Sequence, residues 1–404
     1  MKIGYLIPEF PGQTHVLFWR EIRALRTGGT SVHIVSTRRP RPITCRHEFA
    51  LPAARETFYL VPPSLRLLFS RDTFRVLRNC RIAAAYFRSL SKTGGLSARA
   101  RFLGLFIAAL NLTAWARRNG IEHVHVHSCA DAAHVVAMAY RLGGPPFSLT
   151  LHGDLDVYGR DHDIKMADAA FVSVVGTHLQ EQLLTRTRVT ADRILTSFMG
   201  IEIDSLAALG ADRKPRQRAL HFVTVARLNP MKGHLHALRA MRRGLDAGLQ
   251  LHYTIAGEGP NEQSLRASVK ELSLDEHVTF TGTLAEADVL RLLSRTDAFV
   301  LPSIGLGEAW PVSVMEAMAA GLPVIASRIG ATPEMITSGF DGILVSQGDE
   351  AAILDALSQL ANDPDFRESL GKQARHTAAQ RFSVAASTDA LLNAIRSRQA
   401  VAGK

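Results

Sequence analysis

Short apolar runs recur along the chain, separated by longer amphipathic stretches. IGYLIP, VHIVST, HVHVHS, FSLTLHG and AAFVSVV each read as a buried strand, and helical segments lie between them up to about residue 200. A second series follows: HFVTVAR, LHYTIAG, HVTFTG, AFVLPS and PVIAS. Strands alternating with helices predict parallel sheets covered on both faces, an α/β class. The polar stretch Ala211 to Arg218 before the second series reads as a linker. At 404 residues the chain exceeds the single-core limit of about 250 to 300, so two doubly wound domains are expected, over residues 1–208 and 209–382. In such sheets ligands bind beyond the strand C-termini, and two domains facing each other would share one site.

The segment from Ser303 to Ser327 sets two acids, Glu308 and Glu316, around the start of one helix. AFVLPS reads as the preceding strand, and Pro311 suits a first helical position, so Glu308 belongs to the loop at the strand's end. Glu316 then lies about 7 to 8 Å along the helix from Pro311, comparable with the diphosphate that separates a ribose from a donor sugar. Phosphates between the two acids would face the positive end of the helix dipole. In FVTVARLNPMKGHLHALRAM a strand ends near Arg227, a turn follows at Asn229-Pro230, and Lys232-Gly233 opens a helix. Arg227 and Lys232 are the candidate phosphate clamps, able to stabilise a departing nucleoside diphosphate without a metal.

These residues resemble the retaining glycosyltransferases of family 4, whose signature is two glutamates separated by seven residues, preceded by an Arg and a Lys-Gly pair. The resemblance runs over nearly the whole chain, through IGYLIPEFPGQT, HVHVHS, the TLHGD turn and the AGEGP turn. It implies a GT-B fold: two Rossmann-like domains facing a central cleft, with a last helix in 383–404 crossing back to the first domain. It implies catalytic roles for His152, Glu308, Arg227 and Lys232, with Glu308 on the donor-sugar hydroxyls and Glu316 on the ribose. Gly12, Gly257 and the amides of Val312 and Ser313 join Arg227, Lys232, Glu308 and Glu316 in holding the donor, a UDP-, GDP- or dTDP-sugar, with no metal and no other cofactor. LIPEFPGQT and the Pro-Val pair most resemble bacterial exopolysaccharide and colanic-acid-type enzymes, which implies a lipid-linked oligosaccharide acceptor. The chain departs from the family at Ala309-Trp310-Pro311, where many members have Gly-Phe-Gly. Pro311 offers no amide to a phosphate, and Trp310 is left to stack on a ligand or to pack.

Net charge is +10, and the segment 64–119 holds eleven Lys or Arg against one acid, Asp72. Arg71, Arg75 and Arg78 follow helical spacing with aromatics interleaved, so a basic amphipathic helix is expected, its partner an anionic lipid surface or simply solvent. No motif for reading nucleic acid accompanies the charge. The run Phe102 to Trp115 spans 14 residues, short of the roughly 20 that a membrane crossing needs. Three scattered cysteines and an N-terminus without signal-peptide character point to the cytoplasm, at the inner membrane face if the basic segment binds lipid.

His123, His125 and His127 alternate on one strand with a spacing that suits a metal but also a buried strand, and only His127 falls at the sheet's end. Asp154 to Asp156 and Asp161 to Asp163 imitate a metal-binding Asp-x-Asp, which their position after the His152 turn argues against; Asp154 is left to orient His152 or an acceptor. Glu258 reads as structural, and Glu334 as a dipole partner or cleft residue. A sugar-nucleotide epimerase or phosphorylase of the same fold is the enzymatic alternative. A non-catalytic membrane scaffold is the other, and the intact glutamate pair weighs against it.

Overall fold

A computed structural model describes residues 1–40, 45–62, 96–210, 219–305 and 308–402. The chain divides into two compact units, one of Met1–Ser197 plus the chain from Thr388 on, the other of Phe198–Ser387.

The first unit holds a seven-stranded parallel sheet of β1 (Lys2–Leu6), β2 (Ser31–Arg38), β3 (Phe58–Val61), β4 (His123–Val126), β5 (Phe147–Leu151), β6 (Val172–Val174) and β7 (Ile194–Thr196). Their order is β3-β2-β1-β4-β5-β6-β7. The second unit holds six parallel strands, β8 (Leu220–Val225), β9 (Leu251–Ala256), β10 (Val278–Gly282), β11 (Ala298–Leu301), β12 (Val324–Ser327) and β13 (Ile343–Val345), in the order β10-β9-β8-β11-β12-β13. Strand order reverses between β1 and β4 and again between β8 and β11. At such reversals neighbouring loops leave toward opposite faces and open a crevice beyond the strand ends.

All ten strands expected from the apolar runs are present. The three that the pattern did not announce, β3, β7 and β13, are edge strands of three or four residues. The domain limits differ from expectation too. The boundary falls after Ser197 because the helix Ile203–Gly210 packs on the helices Glu286–Ser294 and Val312–Ala319, and Ile201 bridges to Ser383. The last helix, Val384–Ala402, begins in the second unit and passes into the first at Thr388, where Arg398 bonds the carbonyl of Asp192.

Of the basic segment, Arg66 to Lys92 lie outside the described residues. The helix Leu96–Asn119 packs along the helix Asp131–Arg141. Asn111 donates to the carbonyl of Leu60 at 2.9 Å and Thr113 to that of Ala109 at 2.9 Å, so the polar residues in the apolar run are buried and bonded. Among the described residues no helix is long and apolar enough to cross a membrane.

Candidate active site

The reversal between β8 and β11 gathers the predicted acids and cations of the second unit. Beyond β8 the chain makes a turn at Pro230–Lys232, and Gly233 adopts φ +67 before the helix His234–Asp246. Lys232 ends that turn rather than opening the helix. Beyond β11 comes Ser303, then Glu308. Lys232 Nζ pairs with Glu308 Oε1, and Ser303 donates its Oγ hydrogen to the same oxygen at 2.7 Å. The Glu308 side chain is 7% exposed and that of Lys232 18%, a pairing sheltered enough to matter energetically. Arg227, two residues past β8, is exposed, and its guanidinium has no partner among the described residues. One cation is therefore already held by an acid, and the other is open to an incoming anion.

The helix Val312–Ala319 starts one residue later than its sequence suggests. Pro311 has ψ 107 and is the cap, and no side chain bonds the first turn. Val312 and Ser313 thus occupy the first two helical positions, where amides have no intrahelical acceptor, and neither finds another among the described residues. Glu316 lies in the following turn, buried.

Glycines hold these loops against one another. A Cβ at Gly233 would lie 1.8 Å from the carbonyl oxygen of Pro302, one at Gly257 1.9 Å from that of Ala226, and one at Gly330, with φ +53, 1.6 Å from that of Glu308. Any side chain there would push neighbouring loops apart. Gly257 also donates its amide to Gly282 at 2.9 Å, so in this arrangement it fixes the loop and offers no amide to a ligand. Glu258 accepts from the amide of Thr283 at 3.2 Å. Trp310 packs: it stacks on Phe198 at 4.3 Å, meets Phe382 edge-on at 5.9 Å, and its Nε1 donates to Met315 Sδ at 3.0 Å.

In the first unit His152 follows β5. Its Nε2 lies 3.0 Å from Nδ1 of His127, the rings stack at 5.2 Å, and Tyr158 accepts from the His152 amide at 2.7 Å. Burial pushes both rings down to about 3, so both are neutral at physiological pH. Behind them lies Glu21, whose Oε1 is 3.4 Å from His127 Nε2 and accepts from the Tyr5 hydroxyl at 2.9 Å. Sequence reasoning missed Glu21, Tyr5 and Ser303, since nothing in their local pattern separates them from ordinary helix, strand and loop residues. Gly12 precedes the turn Gln13–His15, where a Cβ would come within 3.0 Å of the His15 ring.

Glu21, His125 and His127 offer ligand atoms within 4.8 Å of one another. Both ring nitrogens of His125 are already bonded, Nδ1 to Ser148 Oγ at 2.8 Å and Nε2 to Thr150 Oγ1 at 2.9 Å, which suits a hydrogen-bonded cluster better than a metal centre. His123 likewise bonds Ser148 at 2.8 Å. Asp154 accepts from Gln182 at 2.7 Å and Asp156 from Arg186 at 2.6 Å, so the Asp-x-Asp imitation is taken up by neighbouring side chains.

Residues 211–377 match the family described as Glycosyl transferases group 1. The Salmonella typhimurium WcaL protein, named for colanic acid biosynthesis, is 32% identical over 197 residues, 48% of each chain, so this chain spans about half the length of that relative. An MMP alpha-(1->4)-mannosyltransferase from Mycolicibacterium hassiacum is 30% identical over 306 residues, covering 68% of this chain and 71% of the relative. The solved structure of Anabaena HepE in complex with UDP superposes with a TM-score of 0.73 at 17% identity, over 98% of this chain and all of that one. That likeness carries the fold, and the two parallel Rossmann-like sheets are those of the GT-B class. With the mannosyltransferase likeness extending over 71% of that relative, the chain belongs to the group 1 glycosyl transferases.

Proposed function

We propose that the protein is a retaining, metal-independent glycosyltransferase that moves a sugar from a nucleotide diphosphate to an acceptor hydroxyl. The single observation that carries this reading is the set of groups at the β8/β11 reversal: the Lys232–Glu308–Ser303 contact, with Arg227 and the amides of Val312 and Ser313 free of partners among the described residues. Together they supply positive charge where a diphosphate would lie, with acids at either end.

The acceptor oxygen bonds the anomeric carbon as the bond from that carbon to the β-phosphate oxygen breaks. The electron pair leaves with the diphosphate, and the acceptor's proton passes to a departing phosphate oxygen on the same face. Arg227, Lys232 and the helix N-terminus stabilise the charge that builds there, a term that in enzymes is worth about 10²- to 10³-fold per donor. Glu308 orients the sugar hydroxyls while keeping Lys232 in place, Glu316 holds the ribose, and His152 contacts the sugar. The WcaL likeness supports an exopolysaccharide setting, with a lipid-linked oligosaccharide acceptor at the inner membrane face. Cations of the protein itself at the leaving group make a divalent metal unnecessary.

The test is incubation with UDP-, GDP- and dTDP-sugars, with and without acceptor. Acceptor-dependent release of nucleotide, with the anomeric configuration kept and no loss in chelator, is the expected result. Conversion of donor without acceptor would identify an epimerase, and dependence on inorganic phosphate a phosphorylase. Unchanged behaviour on losing both glutamates would leave only a scaffold.

A further inference from the structure

The first unit contains a continuous polar chain buried among aromatic rings: Tyr5 hydroxyl, Glu21 carboxylate, His127 and His152. It draws on four elements, with Tyr5 on β1, Glu21 on the helix Val16–Thr27, and the two histidines just past β4 and β5. His127 is walled in by Tyr5 at 4.5 Å, Phe18 at 4.7 Å and His125 at 4.6 Å between ring centroids, and among the described residues its nitrogens face Glu21 and His152. Its Nε2 is buried and makes no hydrogen bond among the described residues, and Glu21 Oε1 approaches it at 3.4 Å.

We infer that Glu21 sets the direction of this chain of hydrogen bonds and so fixes which tautomer His152 presents to a ligand. Two neutral imidazoles joined nitrogen to nitrogen can run either way, since each has one N–H and one lone pair. The Tyr5 hydroxyl stays protonated, held well above its ordinary value by burial and by Glu21, and donates to Glu21 Oε1. That oxygen is thereby an acceptor, and the His127 nitrogen facing it carries hydrogen. His127 Nδ1 is then a lone pair, which accepts from Nε2–H of His152. His152 is left with a lone pair on Nδ1, the nitrogen that has no partner among the described residues. It would accept a hydrogen bond from a hydroxyl, as on a sugar, and would not donate one to a phosphate or carbonyl. Burial raises the Glu21 carboxyl, while His125, the Tyr5 bond and His152 act against that rise. Other titratable groups near the chain are His15 and His125; burial holds His15 down to about 4 and His125 well below its ordinary value, so neither adds a cation at neutral pH. Glu21 and His127 are positioning residues here, acting through His152.

The sugar contact rests on the glycosyltransferase reading; the tautomer does not. Nuclear magnetic resonance of the full-length protein with isotope-labelled histidines, at neutral pH, reads the protonated nitrogen of each ring directly. The expected wild-type result is hydrogen on Nε2 of both His127 and His152. In Glu21→Gln the side-chain amide can donate to His127 Nε2, and the direction should reverse, moving hydrogen to Nδ1 of His152. Hydrogen on Nδ1 of His152 in the wild type, or an unmoved tautomer in folded Glu21→Gln, overturns the inference; if that variant fails to fold, the wild-type spectrum alone decides. In transfer assays kcat/KM of Glu21→Gln should fall about tenfold, the scale of one hydrogen bond, with binding of the free nucleoside diphosphate unchanged. Absence of transfer in the wild type would count against the proposed activity and leave the tautomer result standing.

Discussion

Arg227 and Lys232 carry the same charge and sit in the same connection beyond β8, yet removing them should have different costs. Arg227 is exposed and without a partner among the described residues, so Arg227→Ala should leave stability within about 0.5 kcal/mol. Lys232 neutralises a nearly buried carboxylate, and Lys232→Ala leaves Glu308 with Ser303 as its partner among the described residues, a loss of about 2 kcal/mol after allowing for partial exposure. Turnover should drop about 100-fold in both. Adding Glu308→Gln to Lys232→Ala should recover most of the stability and none of the turnover. Chemical denaturation beside donor turnover separates the two effects; an equally destabilised Arg227→Ala would show that its guanidinium has a structural partner. The sequence made both cations legible because each follows a strand with a turn, and spacing survives translation into structure. It did not reveal that one is already paired, since Lys232, Ser303 and Glu308 meet only when β8 and β11 become neighbours.

At the level of elements, the loops beyond β8, β9, β11 and β12 act as one body because glycines let their backbones touch. Gly330→Ala tests this. Its Cβ would overlap the Glu308 carbonyl, and φ +53 adds about 1 kcal/mol of strain. The expected outcome is a folded protein in which donor affinity, followed by titration calorimetry, falls at least about tenfold as the Glu308 peptide moves. Unchanged affinity would mean that the loop yields elsewhere. Strand β4 supports a second prediction. His123 and His127 are each held down to about 3 by burial, while the unfolded chain takes up a proton near 6.5. Between those values the unfolded state binds more protons, so stability rises with pH and is lost as pH falls below about 6.5, by roughly 1.4 kcal/mol per pH unit for each such ring. His123→Gln should flatten the denaturant midpoint against pH over this window, and a slope equal to wild type would mean that His123 is protonated in the fold. Central strands such as β4 and β11 were legible because burial on both faces demands an unbroken apolar run. The edge strands β3, β7 and β13 were not, because half-exposed runs of three or four residues look like loops. The chain of Tyr5, Glu21, His127 and His152 was hidden for a related reason: it draws on separate elements, and periodicity reports only within one.

For the molecule as a whole, the charge is the property that the fold does not consume. Apolar strands, caps and loop glycines account for both sheets, and some of the described acids and bases pair with each other, as in Arg26–Glu56, Arg141–Asp168 and Arg186–Asp156. The net charge of +10 is matched by the excess of ten in segment 64–119 alone, most of it in residues 66–92. A leaflet of acidic lipid attracts each nearby basic side chain by about 1 kcal/mol, so even a fraction of these residues at the surface would hold the protein there at low salt. The full-length chain should therefore float with vesicles containing phosphatidylserine, remain behind with neutral vesicles, and be released as salt approaches about 0.5 M, where screening shortens to a few ångströms. Combining Arg71→Glu, Arg75→Glu and Arg78→Glu should abolish flotation and leave turnover of a water-soluble acceptor intact, because the β8/β11 residues are untouched. Flotation that persists in high salt would make the attachment apolar, and flotation that survives charge reversal would move it to another surface.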